Sequence, residues 1–176
     1  MRKLSPHLKI FWVVNYKRRG GTLLGGAGCG EMYHYHSKLM MKEARTGGQH
    51  VWHQDYGYWY ENGCLYSDMG SMFLALDPCT RENGCLQVLA GSHRMGRFDH
   101  VLVTTGGVAQ RGAELDRVKE ASKQLEHLHV ELQPGDGIFF HSNLLHTSAQ
   151  NLSDKRRWSM ICAYNARSHS LIIQSQ

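Results

Sequence analysis

The chain has 176 residues, a net charge of +5 and a pI near 9.0, enough for one domain that buries its own core without staples. Its basic residues are dispersed, with Lys17-Arg18-Arg19 and Lys155-Arg156-Arg157 as the short clusters, which argues against nucleic acid as a partner. The apolar run Ile10 to Val14 is too short to span a bilayer, and five scattered cysteines without a Cys-x-x-Cys favour neither a disulfide framework nor a zinc knuckle.

A reducing, cytoplasmic setting with no membrane partner is therefore expected. The absence of acidic residues before Glu31, against six basic ones, leaves mitochondrial targeting as the weaker alternative. Residues 1–30 end in a glycine-rich stretch with no Gly-Lys-Ser/Thr, and read as a basic, poorly ordered leader to a domain over 31–170. From Tyr33 to Met41, Tyr33, Tyr35, Leu39 and Met41 share one parity and His34, His36, Lys38 and Met40 the other, which predicts a strand with one polar face. Gly47-Gly48 breaks it. The aromatic run from His50 to Tyr60 then predicts a second strand.

Ser71 to Leu76, closed by Asp77-Pro78, and Cys85 to Leu89, opened by Asn83-Gly84, predict two more strands. One helix is expected between Glu114 and Leu128, with Leu115, Val118, Ser122 and Leu125 along one narrow face, as an insertion between strands. Leu128 to Leu132 and Ile138 to Phe140 are strands flanking the turn Pro134-Gly135-Asp136-Gly137. With Asn151-Leu152-Ser153-Asp154 as a turn, the last segment reads as a hairpin that pairs Ser148 with Arg157 and His146 with Ser159, all four on one face. Many short strands and one inserted helix predict a mainly β antiparallel sandwich, a jelly roll of about eight strands.

Three of these residues carry chemistry. If His53 and Asp55 lie on a strand, they point the same way, and His146 can join them from a distant strand. Two histidines and one carboxylate suit a non-haem Fe(II) with open positions, two of which a 2-oxo acid can fill while Arg157 pairs with its far carboxylate and Ser148 adds a hydrogen bond. His141, five residues before His146, is the rival ligand, and the hairpin parity decides against it. The aromatic cluster Tyr56, Tyr58, Trp59 and Tyr60 reads as core, with one face near the metal.

From Tyr33 to Tyr164 the sequence resembles the phytanoyl-CoA dioxygenase family of Fe(II)- and 2-oxoglutarate-dependent oxygenases. The resemblance rests on Trp52-His53-Gln54-Asp55, on Asn83-Gly84-Cys85-Leu86 with Gly91-Ser92-His93, and on Pro134-Gly135-Asp136 leading to Phe140-His141, His146-Thr147-Ser148 and Arg157. It implies a double-stranded β-helix of cupin-like type with a short N-terminal extension. It further implies iron held by His53, Asp55 and His146, and 2-oxoglutarate held by Arg157 and Ser148, with Phe73 and Lys38 lining the cosubstrate site. Dioxygen would be the co-reactant and ascorbate the reductant. The run Asp55 to Gly63 is similar to family members that hydroxylate free L-proline at the trans-4 position, which implies a small-molecule substrate of that kind. Two other expectations stand beside it: a non-catalytic protein that binds metal and 2-oxoglutarate, and a hydroxylase of an acyl-CoA or another small metabolite.

Overall fold

The computed structural model describes the backbone of residues 10–12, and residues 32–105 and 107–167. In chain order the strands are β1 (Ile10–Trp12), β2 (Met32–Lys42), β3 (His50–His53), β4 (Met69–Ala75), β5 (Leu86–Leu89), β6 (His100–Thr105), β7 (Val108–Ala113), β8 (His127–Val130), β9 (Gly137–His141), β10 (His146–Ser148) and β11 (Arg157–Ala166). Helix α1 (Asp55–Glu61) follows β3, α2 (Leu115–Gln124) follows β7, and a 3₁₀ turn covers Ser92–Met95. Apart from β1, the expected leader lies outside the described residues, as does the end of the expected domain beyond residue 167.

Two sheets form the sandwich. The larger runs β1-β9-β4-β11-β2 and the smaller β3-β10-β5-β8, while β6 and β7 make a separate two-stranded ribbon. Every pairing is antiparallel except β1 with β9. Between the sheets, alternate residues of facing strands interlock: Phe73 and Ala75, Ile138 and Phe140, Leu86 and Val88, with Leu144 and Leu132 closing the cluster. Each large side chain fully buried here stabilises the sandwich by about 1.5–3 kcal/mol. A second cluster packs Val118 and Ala121 of α2 onto Leu89, Phe98, Ala113 and Leu145, and a third packs Tyr56 and Trp59 of α1 onto Cys64, Met69 and Ala163.

The expected mainly β jelly-roll architecture is present, with four corrections. First, β10 and β11 are not a hairpin: β10 pairs with β3 and β5, and β11 with β2 and β4, so the segment 149–156 crosses from one sheet to the other. Asn151 fixes this crossing. Its buried amide donates to the carbonyls of Lys42, Glu43 and Lys155 and accepts from Ser153, so it holds a connector in place of a tight turn. Second, the strand expected from His50 to Tyr60 ends at His53 and becomes α1, giving two helices where one was expected. The burial of Tyr56 and Trp59, three residues apart, with Tyr60 and Glu61 exposed, follows a helical period and overrides the β-propensity of the aromatics.

Third, β2 carries an extra residue. His36 opposes Ala163 and His34 opposes Tyr164, so Tyr35 forms a bulge that shifts the phase. Beyond it, Leu39 and Met41 face outward at 48% and 57% exposure, while Lys38, Met40 and Lys42 share the opposite face. The more polar face of this strand is thus the inner one. Fourth, the ribbon β6–β7 had no counterpart in the sequence reading. It docks beside β3, where the Gln110 amide donates to the Gln49 carbonyl and accepts from Val51 N in place of ladder bonds.

Candidate metal and 2-oxo-acid site

The three expected metal ligands converge although they do not share a strand arrangement. His53 ends β3, Asp55 opens α1 and His146 opens β10, paired directly with His53. Asp55 Oδ1 lies 4.0 Å from His53 Nε2 and 3.8 Å from His146 Nε2. One donor atom from each residue falls within 4.8 Å of the others. The turn from strand to helix, rather than strand alternation, brings Asp55 round beside His53.

Hydrogen bonds set the donor atoms. His53 Nδ1 lies 2.7 Å from Val51 O and His146 Nδ1 2.9 Å from Leu144 O. A carbonyl can only accept, so both Nδ1 atoms carry the proton and both Nε2 lone pairs are free to ligate. Burial, reinforced by the neighbouring His146, holds the His53 imidazole well below its usual range and keeps it neutral. Ser71 Oγ donates to Asp55 Oδ2 at 2.5 Å and leaves Oδ1 turned to the histidines. Two Nε2 donors and one carboxylate oxygen on one side fit a divalent transition metal with open positions.

Gln54, between the ligands, holds the turn. Fully buried, it donates to Gly96 O and Asn143 O at 2.8 and 2.7 Å and accepts from Phe98 N at 2.6 Å. Its backbone N–H reaches His100 Nε2 at 3.2 Å. Gly57 completes the packing, since a Cβ there would stand 2.2 Å from the His100 ring.

Inward from the metal donors lies a cavity lined by His50, Lys38, Met40, Phe73, Phe140, Ser148 and Arg157. Lys38, Ile161, Phe73 and Ile138 form one row across the larger sheet, and Lys38 and Phe73 line the cavity wall. Arg157 is 2% exposed. Its Nη1 donates to Ser159 Oγ at 3.0 Å and its Nη2 to Gly84 O at 2.9 Å, and its guanidinium lies 5.6 Å from the Phe73 ring centroid. Nε is buried and has no partner. Ser148 reaches the same cavity from the opposite sheet, so the two residues face each other across the sandwich instead of pairing along a hairpin.

Lys42 was not singled out from the sequence. It is directly opposite Arg157 on β2, 3% exposed, with its ammonium donating to Ala149 O. Burial and then the Arg157 charge pull its pKa down to about 7. The glycine of Asn83-Gly84 makes this end possible. Gly84 has φ +75°, and a Cβ on it would stand 2.3 Å from Ala149 O, so only glycine brings its carbonyl to Arg157. The unpartnered guanidinium N–H makes the buried end of the cavity suited to a carboxylate, as a 2-oxo acid requires.

His141, the rival ligand, ends β9 away from the donors, with its Nδ1 accepting from Asn143 N at 3.0 Å. Of the aromatic cluster, Tyr56 and Trp59 are core and Tyr60 is exposed, while Tyr58 meets the His53 ring edge-on at 5.7 Å. His50 also lines the cavity; it opens β3, three residues before His53, and nothing in the sequence singled it out.

The model of the phytanoyl-CoA dioxygenase family matches residues 13–159. The chain belongs to that family. Among curated relatives, this family member is 29% identical over 160 residues to L-proline trans-4-hydroxylase of Streptomyces griseoviridis, covering 81% of the chain and 56% of the relative. It is 29% identical over 160 residues to the phytanoyl-CoA dioxygenase of Arabidopsis thaliana, covering 89% and 52%. The chain spans about half the length of the curated relatives it matches. Among solved structures, EctD from S. alaskensis with 2-oxoglutarate and 5-hydroxyectoine superposes with a TM-score of 0.68 at 28% identity, over 80% of this chain and 46% of that one. EctD with bound Fe superposes equally well, at 26% identity over 82% and 50%.

Proposed function

We propose that this chain carries the metal and cosubstrate centre of an Fe(II)- and 2-oxoglutarate-dependent dioxygenase that hydroxylates a small molecule. The observation that carries this reading is the pairing of the two ends: a metal donor set with both Nε2 lone pairs free, and a buried Arg157 whose Nε lacks an acceptor. When bound, iron and 2-oxoglutarate supply oxidative decarboxylation coupled to oxygenation of a C–H bond by dioxygen. The chain's own residues hold and exclude. His53, Asp55 and His146 would hold the metal, with Ser71 orienting Asp55; Arg157 would take the distal carboxylate and Ser148 a further hydrogen bond to it; Phe73 and Phe140 exclude water.

Within this reading the substrate is a free amino acid, with L-proline the first choice. The likeness to an L-proline trans-4-hydroxylase supports it, and so does Tyr58, a polar-tipped aromatic beside His53. The four described cysteines are unpaired, three of them buried, in keeping with a reducing cytoplasmic setting. The test is succinate release from 2-oxoglutarate by the purified chain with Fe(II), ascorbate and oxygen, screened over free amino acids, betaines and acyl-CoAs. Stimulation by L-proline is expected. Binding of metal and 2-oxoglutarate without succinate would instead favour a sensor or pseudoenzyme, and stimulation by an acyl-CoA alone would overturn the amino-acid assignment.

A further inference from the structure

The groups that could choose a substrate stand outward from the metal donors along α1. Tyr58 follows Asp55 by three residues and Glu61 follows it by six, a rise of about 9 Å from Asp55 to Glu61. The Tyr58 hydroxyl donates to the backbone carbonyl of Arg111 on the neighbouring ribbon. Arg111 Nη2 in turn reaches Glu61 Oε1 at 2.5 Å and His100 O at 3.0 Å. One tyrosine away from the His53 ring, a cation and an anion thus stand side by side, with side chains 51% and 41% exposed.

An ion pair this open adds little to stability, so its partners exchange readily. Arg111 is nevertheless positioned without Glu61, because its guanidinium is tied to the His100 carbonyl and its own carbonyl holds Tyr58. His100 packs edge-on against Tyr58 at 4.8 Å. Since its Nε2 accepts from Gln54 N, its Nδ1 carries the proton, and that buried N–H has no acceptor. The cluster therefore offers an exchangeable cation, an exchangeable anion and a spare donor around Tyr58, whose ring meets that of His53.

We propose that Arg111 and Glu61 form the subsite that grips a small zwitterion, Arg111 taking the carboxylate and Glu61 the protonated amine of a free α-amino acid, with Tyr58 as the wall beside the reacting carbon. This rests on the proposed function and names the residues that would select its substrate. A zwitterion replaces one ion pair by two and leaves no charge uncompensated. The phosphates of an acyl-CoA would instead meet Glu61 as a like charge.

The test is calorimetric binding of L-proline, L-prolinamide and N-acetyl-L-proline to the full chain loaded with Mn(II) and 2-oxoglutarate, with binding of 2-oxoglutarate itself measured on the same preparations. Removing either charge from the ligand should weaken binding roughly tenfold or more. Arg111→Gln should erase the difference between proline and prolinamide, and Glu61→Gln that between proline and N-acetylproline, both with unchanged 2-oxoglutarate affinity. The double variant Arg111→Glu/Glu61→Arg keeps an ion pair, and should fold and bind 2-oxoglutarate yet lose proline. Retention of wild-type discrimination by both single variants would overturn the subsite, as would wild-type chain that binds 2-oxoglutarate but no zwitterion. Failure of the wild type to bind 2-oxoglutarate would instead bring down the proposed function, and the subsite with it.

Discussion

The two ends of the cavity are built on opposite principles. At the metal end every group that could wander has an internal partner: both Nδ1 atoms donate to carbonyls, Asp55 Oδ2 accepts from Ser71, and Gln54 is satisfied three times over. At the closed end Arg157 keeps an unpartnered Nε, and Lys42 lies beside it with only a carbonyl for company. The first end is preorganised for a cation and the second carries charge that an anion would relieve. Orientation is what hydrogen bonds supply at one, and affinity is what unbalanced charge supplies at the other.

Changing one end should affect its own ligand more than the other's. His146→Ala is expected to abolish stoichiometric metal binding, read by chelator competition, while 2-oxoglutarate still binds weakly at Arg157. Arg157→Ala should cost on the order of 2–5 kcal/mol, roughly thirty- to several-thousand-fold, in 2-oxoglutarate affinity with metal affinity unchanged. Lys at this position should rescue only part of the loss, because it lacks the planar fork. A single variant that weakens both ligands equally would dissolve the distinction.

Gly84→Ala tests the geometry of the closed end. The added Cβ meets Ala149 O at a positive φ, so the chain should lose about 1–3 kcal/mol of stability by denaturant melt, with weakened 2-oxoglutarate binding. Lys42→Met tests the charge. Burial lowers the folded pKa of Lys42 from 10.5 to about 7, with Arg157 and Cys85 as the titratable neighbours. Between those values the unfolded chain binds more protons, so this lysine's contribution to stability rises with pH over that range. Below about pH 7 both states hold the proton, and its burden is greatest. The methionine variant should therefore be the more stable at pH 7, and its advantage should shrink towards pH 10. The smallest effect is expected from Ser71→Ala, a loss of about tenfold in metal affinity with little change elsewhere, since it only loosens Asp55.

The sequence made the strands of the sandwich legible because their apolar runs are bounded by turn residues, as at Asp77-Pro78 and Pro134 to Gly137. It misled where tertiary packing overrode local preference. Asp55 to Glu61 carries four aromatics and a glycine, a poor helix by propensity, and becomes one because Tyr56 and Trp59 find a shared core while Gly57 admits the His100 ring. The His146 to Arg157 hairpin was a sound parity argument on a false pairing: both residues face the cavity, but from opposite sheets. Tyr35 illustrates a third limit, since one bulged residue exchanges the two faces of β2 and nothing in an alternating pattern marks where it falls. Lys42 escaped notice because it lies one residue beyond Met41, where the expected strand ended. The tautomers and the unpartnered guanidinium N–H depend on backbone carbonyls and were beyond reach of any residue pattern.

The crossing at 149–156 has a consequence for folding. The donors of the metal end lie on the smaller sheet and α1, whereas Arg157 belongs to the larger sheet, and Asn151 ties the connector between them. No half of the sandwich holds the complete site, so occupancy by a ligand that touches both sheets is possible only after they dock. Such a ligand acts as a clasp: at a concentration one hundred times its Kd it would add about 2.7 kcal/mol to the stability of the docked state. Hydrogen exchange in β2 and β11 of the larger sheet should then slow together with exchange in β3 and β10 of the smaller one as the site fills.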